Sequence, residues 1–183
     1  MKKAHLIAVA LLAIIVIGGI LLFYGQSGTP SERTILSASE IPGDNWTAFM
    51  GDNYILDTHN SSDSVVRWFQ HGNESGEVRV QLILYHYSSD NEALLTMEKA
   101  INSWAKDPSN ATITTVDVGK IGQLYQFHEF ALLYDFPGQS NSTQLDFLKS
   151  DFIAYMHFYW STDKLINDSE VMRMVKLQAD KIP

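Results

Sequence analysis

The sequence predicts an α+β protein: an N-terminal transmembrane helix, then an antiparallel sheet with two packed helices, built as two β-hairpin–helix units. Three observations carry this. The chain begins with an apolar run long enough to cross a bilayer. Beyond it, several segments alternate apolar and polar residues with a period of two, in pairs joined by turn-forming residues. Twice, after such a pair, the period changes to about 3.6, and the change falls at similar junctions, "YHYSSD" (85–90) and "FYWSTD" (158–163), in which Ser88/Ser161 and Asp90/Asp163 match at an offset of 73 residues. Strands and single helices in that order form helices packed on one sheet.

The first element is the run "AHLIAVALLAIIVIGGILLFY", residues 4–24, which has one histidine near its start and otherwise apolar residues, Gly and a closing Tyr. At about 1.5 Å per residue a helix of this length matches a hydrocarbon core of roughly 30 Å. Lys2 and Lys3 precede it and the next basic residue is Arg33, so the bias of basic residues toward the cytoplasm places the N-terminus inside and the rest outside. A cleaved signal peptide has an apolar region of only about 7–15 residues and a small-residue cleavage site; "FYGQSGTP" contains no such site. The expected location is therefore the cell membrane, as a single-pass signal-anchor protein whose membrane partner is lipid around the helix. Residues 25–34, "GQSGTPSERT", are small and polar and are expected to form a flexible tether, with the exterior α+β domain over 35–183.

Along that domain, "WTAFMGDNYIL" (46–56) is expected as two short extended runs broken at "GDN". "SVVRWFQ" (64–70) and "EVRVQLILYHY" (77–87) flank "HGNESG" as a hairpin. On the second of these strands Val78, Val80, Leu82, Leu84 and His86 share one face, which should meet the core, while Arg79, Gln81, Ile83, Tyr85 and Tyr87 share the other. The helix that follows has Ser89 and Glu92 at capping-box spacing, an apolar stripe of Ala93, Met97, Ala100, Ile101 and Trp104, and an end before Pro108. "ATITTVDV" (111–118), a turn at 119–122 and "QLYQFHEFALLYDF" (123–136) are rich in strand formers. "QLDFL" (144–148), a tight "KSD" turn and "FIAYMHFYW" (152–160) make a second hairpin, whose last strand is apolar on both faces as a central strand should be. In the closing helix, with Asp168 as its expected N-cap, Val171, Met174, Val175, Gln178, Ala179 and Ile182 fall at helical spacing.

Composition narrows the function classes. With 183 residues, 45% hydrophobic and 19% charged, the chain suits one globular domain with an appendage. It contains no cysteine, which excludes disulfides, thiolate metal sites, a cysteine nucleophile and a lipid-modified cysteine. Two of its 13 Lys+Arg precede the apolar run, leaving 11 against 21 Asp+Glu outside. An acidic exterior of this kind does not favour a nucleic-acid partner.

Six Asn-x-Ser/Thr triplets, at Asn45, Asn60, Asn73, Asn110, Asn141 and Asn167, use six of the nine asparagines, lack a central Pro, and lie in expected loops or element ends. N-glycosylation at these positions is the expectation. Several catalytic motifs are missing: the sequence has no H-x-x-x-H pair, no G-x-S-x-G elbow and no phosphate-binding glycine loop. Asp44/Asp52 and Asp146/Asp151 are expected as turn residues. His86, His128 and His157 lie in expected strands and could converge across a sheet. With Tyr155 and Trp160 they are the candidate ligand-binding residues; no metal and no cofactor is expected.

The order "VQLILYHYSSDNEALLTMEKA", "VDVGKIGQLYQF", "FIAYMHFYWSTD" and a terminal helix ending in "KI" resembles small extracytoplasmic α+β domains of the PsbP-like kind. It is also similar to membrane-anchored prokaryotic envelope proteins that share this plan, and the resemblance covers 46–183. It implies an accessory or binding role at the cell surface without catalysis, beside another membrane or envelope protein, and supplies no catalytic residues. Envelope-bound members are often lipoproteins, and the cysteine-free chain departs from that attachment. The alternative is a ligand-binding sensor, or an envelope hydrolase, using the aromatic and histidine-bearing sheet face.

Overall fold

A computed structural model describes residues 28–53, 60–72, 78–104, 111–127, 139–161 and 168–183. The apolar run 4–24 lies outside them, and among the described residues no helix is long and apolar enough to cross a membrane. The described elements are helix α1 (Pro30–Thr34), a 3-10 turn (Ala38–Glu40), strands β1 (Trp46–Asn53), β2 (Asp63–His71) and β3 (Val78–His86), helix α2 (Asp90–Trp104), strands β4 (Ala111–Thr115), β5 (Ile121–Phe127), β6 (Gln139–Lys149) and β7 (Phe152–Ser161), and helix α3 (Asp168–Lys181).

The seven strands form one sheet in the order β1-β2-β3-β7-β6-β5-β4, with every neighbouring pair antiparallel. The expected α+β class and both hairpins are present, β2 with β3 and β6 with β7. The two hairpins meet where β3 pairs with β7, from Val78 opposite Trp160 to His86 opposite Phe152. The strand apolar on both faces is thus the central one.

Helices α2 and α3 each cover the sheet face toward which the end of the preceding hairpin points. Tyr85 and Tyr87 pack with Ala93 and Met97 of α2 and with Leu148 and Ile153. Phe158 and Trp160, their counterparts 73 residues later, pack with Val171, Met174 and Val175 of α3, and with Val80, Leu82, Leu84, Leu145 and Phe147, on the opposite face. The α3 side holds the main core, where Phe69, Phe147 and Phe158 are fully buried. Burying each such ring contributes about 1.5–3 kcal/mol.

Several elements differ from expectation. Part of the expected tether is helical: in α1, Thr29 Oγ1 accepts from Glu32 N at 3.3 Å and Thr29 N donates to Glu32 Oε2 at 2.7 Å, a capping box with Pro30 in the first turn. Ser31 is buried and its N–H donates to Asp63 Oδ1 at 3.0 Å. The sheet therefore carries three helices rather than two. The first extended run, expected to break at "GDN", continues through it as strand β1, whose register shifts at Ala48/Met50 and Met50/Asn53 absorb the irregularity, and the second expected run, 54–56, lies outside the described residues. Asp168 is the first residue of α3 rather than its cap, and the expected apolar positions of that helix, Gln178 included, are all buried. At the β4–β5 turn Gly119 has φ 64 and Lys120 N donates to Leu148 O at 2.7 Å; a Cβ at Gly119 would collide with that carbonyl.

Candidate functional site

Strand alternation makes the α2 face far more polar than the α3 face. Reading across the sheet by register, one row on the α2 side is Trp68, Gln81, His157, Gln144 and Tyr125, and the next is Val66, Ile83, Tyr155, Asp146 and Gln123. Helix α2 packs over the end of the sheet marked by Tyr85, Ile153 and Leu148 and stops short of closing over these two rows. Between them opens a groove of about 900 Å3. Its sheet wall includes Gln81, Ile83, Tyr85, Gln144, Tyr155 and His157, and its helix wall includes Glu92, Leu95, Thr96, Lys99, Ala100 and Ser103, with Asn60 beside it. The volume lies within the range of small-molecule sites.

Neutral polar groups set the chemistry of the floor. His157 is largely buried, and burial holds its imidazole down to about 4, because an uncompensated charge is costly away from water. The Tyr159 hydroxyl bonds to its Nδ1 at 2.9 Å and the two rings stack with centroids 4.3 Å apart, so the ring orientation is set by its neighbour along β7. Tyr85 and Tyr155 meet edge to face at 5.7 Å and 87°. Burial raises the Tyr155 phenol, reinforced by the neighbouring Asp146, and it stays protonated.

Asp146 is the least expected member. It is fully buried in the middle of β6, between Gln123 and Tyr155. Gln144 Nε2 donates to its Oδ1 at 2.8 Å, while its Oδ2 is buried with no hydrogen-bond partner among the described residues. Burial pushes its carboxyl up to about 8 against the opposing hydrogen bond from Gln144, so near neutral pH it is mainly the uncharged acid. The expected turn role for Asp146 is therefore corrected, whereas Asp151 does lie in the β6–β7 turn.

The candidate residues separate. His157 and Tyr155 line the groove. His86 lies on the other face, with the row of Val78 to Leu84, and does not converge with His157. Its Nδ1 stands 2.9 Å from Asp63 Oδ2, its Nε2 stands 3.3 Å from Asp151 Oδ2, and its ring packs on Phe152 at 4.7 Å. These contacts tie the start of β2, the end of β3 and the β6–β7 turn together, a structural task. Trp160 is buried in the core beneath α3 and leaves the ligand-binding set. His128 lies outside the described residues. Among the described residues no group of three or more His, Cys, Asp or Glu could hold a metal ion.

Of the sequon asparagines, Asn45 and Asn60 are exposed and adopt left-handed backbone conformations, φ 70 and 59. Asn141 lies inside β6, which begins earlier than expected, at the register shift between Gln139 and Asn141. Asn73, Asn110 and Asn167 lie outside the described residues.

No protein-family model matches the chain, and no curated protein matches it in sequence. Among solved structures it is similar to the extracellular domain of PknH from Mycobacterium tuberculosis, with a TM-score of 0.59, 10% sequence identity, and coverage of 84% of this chain and 96% of that one. The likeness is one of fold.

Proposed function

We propose that this chain is a membrane-anchored extracytoplasmic binding module without catalysis of its own, N-glycosylated at its sequons, and that the groove between α2 and the sheet is its ligand site. The observation that carries the reading is the groove itself. A space of about 900 Å3 opens on a sheet face whose floor is built from Gln81, Gln144, His157 and Tyr155, at the place where a domain without a ligand would ordinarily bury apolar residues under its helix. The apolar run 4–24 and the two lysines before it support the anchor and the exterior location. A fold like that of an extracellular domain agrees with such a location.

The groove suits binding better than acid–base chemistry. Its histidine is kept neutral by burial and is engaged by Tyr159, and Asp146, although on the same sheet face, is fully buried and does not line the groove. A general acid–base pair needs groups that titrate near the working pH and reach the substrate.

The test is retention of a small molecule. Full-length chain in lipid nanodiscs is dialysed against envelope extract and the bound molecules are identified by mass spectrometry, beside an Ala100→Trp variant that fills the groove from the helix side. A molecule retained by the wild type and lost from the variant is expected. Equal retention by both, or none by either, would remove the groove as the ligand site.

A further inference from the structure

We propose that the groove takes a neutral carbohydrate, an inference that rests on the groove being the binding site and adds the chemical class of what it holds. The first argument is charge. No ionised side chain lies on the sheet wall, where Gln81, His157 and Gln144 sit side by side across β3, β7 and β6. The helix wall brings one acid and one base, Glu92 and Lys99, whose charges offset. A strongly ionic ligand would lose its hydration without finding a compensating charge on the floor.

The second argument is the kind of polar group presented. Amide side chains donate and accept at once, which matches hydroxyl groups, themselves both donor and acceptor. The Gln81 amide makes no side-chain hydrogen bond among the described residues, and Gln144, whose Nε2 is committed to Asp146, retains its carbonyl oxygen as an acceptor. Tyr155, backed edge to face by the buried Tyr85, adds aromatic surface for the apolar face of a sugar ring. Thr96 and Ser103 supply hydroxyls from the opposite wall.

Buried Asp146 is the third observation. Its Oδ2 is buried with no hydrogen-bond partner among the described residues, and its Oδ1 accepts a hydrogen bond from Gln144, a groove residue. A carboxyl kept as the neutral acid leaves the floor uncharged, and it holds the Gln144 amide in one orientation. Asp146 thus acts as a positioning residue for the floor.

A saccharide reaches the groove from two sources. One is a glycan of the surroundings; the other is the chain itself, because Asn60 begins a sequon and lies at the groove. The test probes full-length protein in detergent on an array of neutral oligosaccharides (mannose, galactose, glucose and N-acetylglucosamine series) with uronate and glucosamine oligomers as charged controls. Wild type, Gln81→Ala, Ala100→Trp and Asn60→Gln are compared, after melting curves establish that each is folded. Binding of at least one neutral series over its charged counterparts is expected, weakened about tenfold or more in both Gln81→Ala and Ala100→Trp, since a lost pair of ligand hydrogen bonds is worth about that factor. If only Asn60→Gln binds, the chain's own glycan occupies the site, and the carbohydrate assignment stands with that source. Preference for the charged oligomers, or no saccharide bound by any form, overturns the assignment. The extract experiment separates the cases: another molecule lost in Ala100→Trp leaves the groove a binding site for a different chemistry, and no molecule at all removes both readings.

Discussion

At the residue scale, Asp146 and His157 are two buried titratable groups whose shifts run in opposite directions, and their effects on stability can be told apart by pH. Asp146 has a folded-state pKa of about 8, above its unfolded value near 3.9. The folded state therefore holds more protons between those values, and this group's contribution falls as pH rises through that window, by up to about 1.4 kcal/mol per unit. His157 is held at about 4, below its unfolded value near 6.5, so its contribution falls as pH drops from about 6.5 toward 4. Below 6.5 the two slopes oppose one another; above 6.5 only Asp146 acts. Denaturant melts at a series of pH values should show wild-type stability declining from pH 6.5 to 8, with the decline absent in Asp146→Asn. In His157→Gln, stability should rise as pH falls from 6.5 to 5. A wild type with no decline above 6.5 would show that Asp146 is ionised in the fold. The sequence marked His157 as a candidate but took Asp146, with Asp151, for a turn residue, because a carboxylate is ordinarily exposed and "QLDFL" alone does not show what covers it. Its burial depends on β5 and β7 lying on either side of it, and pairing between distant segments is not written in local pattern.

At the element scale, local period was the best guide. The change from two to 3.6 located α2 and α3, and the alternation in "VRVQLILYH" separated a core-facing row from the row that became the groove wall. What it missed came from irregularity. The "TPSE" signal of α1 was hidden in a small polar stretch, and β6 extends back through polar residues, 139–143, that carry no apolar alternation. Gln178 shows the limit of spacing as a guide: it occupies an apolar stripe position of α3 and is fully buried, yet its role is polar. Its Oε1 accepts from Leu36 N at 2.7 Å and its Nε2 donates to Thr34 O at 3.2 Å. Through this one side chain the last helix holds the segment that follows α1. Replacement by Leu keeps the volume near constant but leaves a backbone donor and an acceptor unsatisfied, each costing about 1–3 kcal/mol. Gln178→Leu should lower stability by about 2–4 kcal/mol in chemical denaturation. An unchanged midpoint would mean that water or another group satisfies both backbone atoms.

At the scale of the whole molecule, the N-terminal segment and the groove lie on opposite sides of the sheet. Ile35 and Leu36 belong to the core beneath α3, whereas the groove opens on the α2 side. The order of strands that produces this separation was only half visible in sequence: the repeated junction announced two similar units, but not that β3 and β7 would pair and set their helices on opposite faces. With α1 beginning at Pro30, only residues 25–29 separate it from the apolar run, a reach of at most roughly 20 Å when fully extended. In the proposed topology the chain thus approaches the domain from the α3 side, leaving the groove clear of its own attachment. The cysteine-free sequence provides a direct test of that topology, since any introduced thiol is unique. Lys176→Cys places it at an exposed position of α3, and Lys3→Cys places it before the apolar run. A membrane-impermeant maleimide applied to intact cells should label Lys176→Cys fully and Lys3→Cys only after lysis, because the membrane separates the two positions if the run 4–24 spans it with the basic residues inside. Labelling of Lys3→Cys alone in intact cells would invert the orientation. Protection of both until lysis would place the domain, and with it the groove, on the cytoplasmic side, where neither glycosylation nor a surface ligand is available to it.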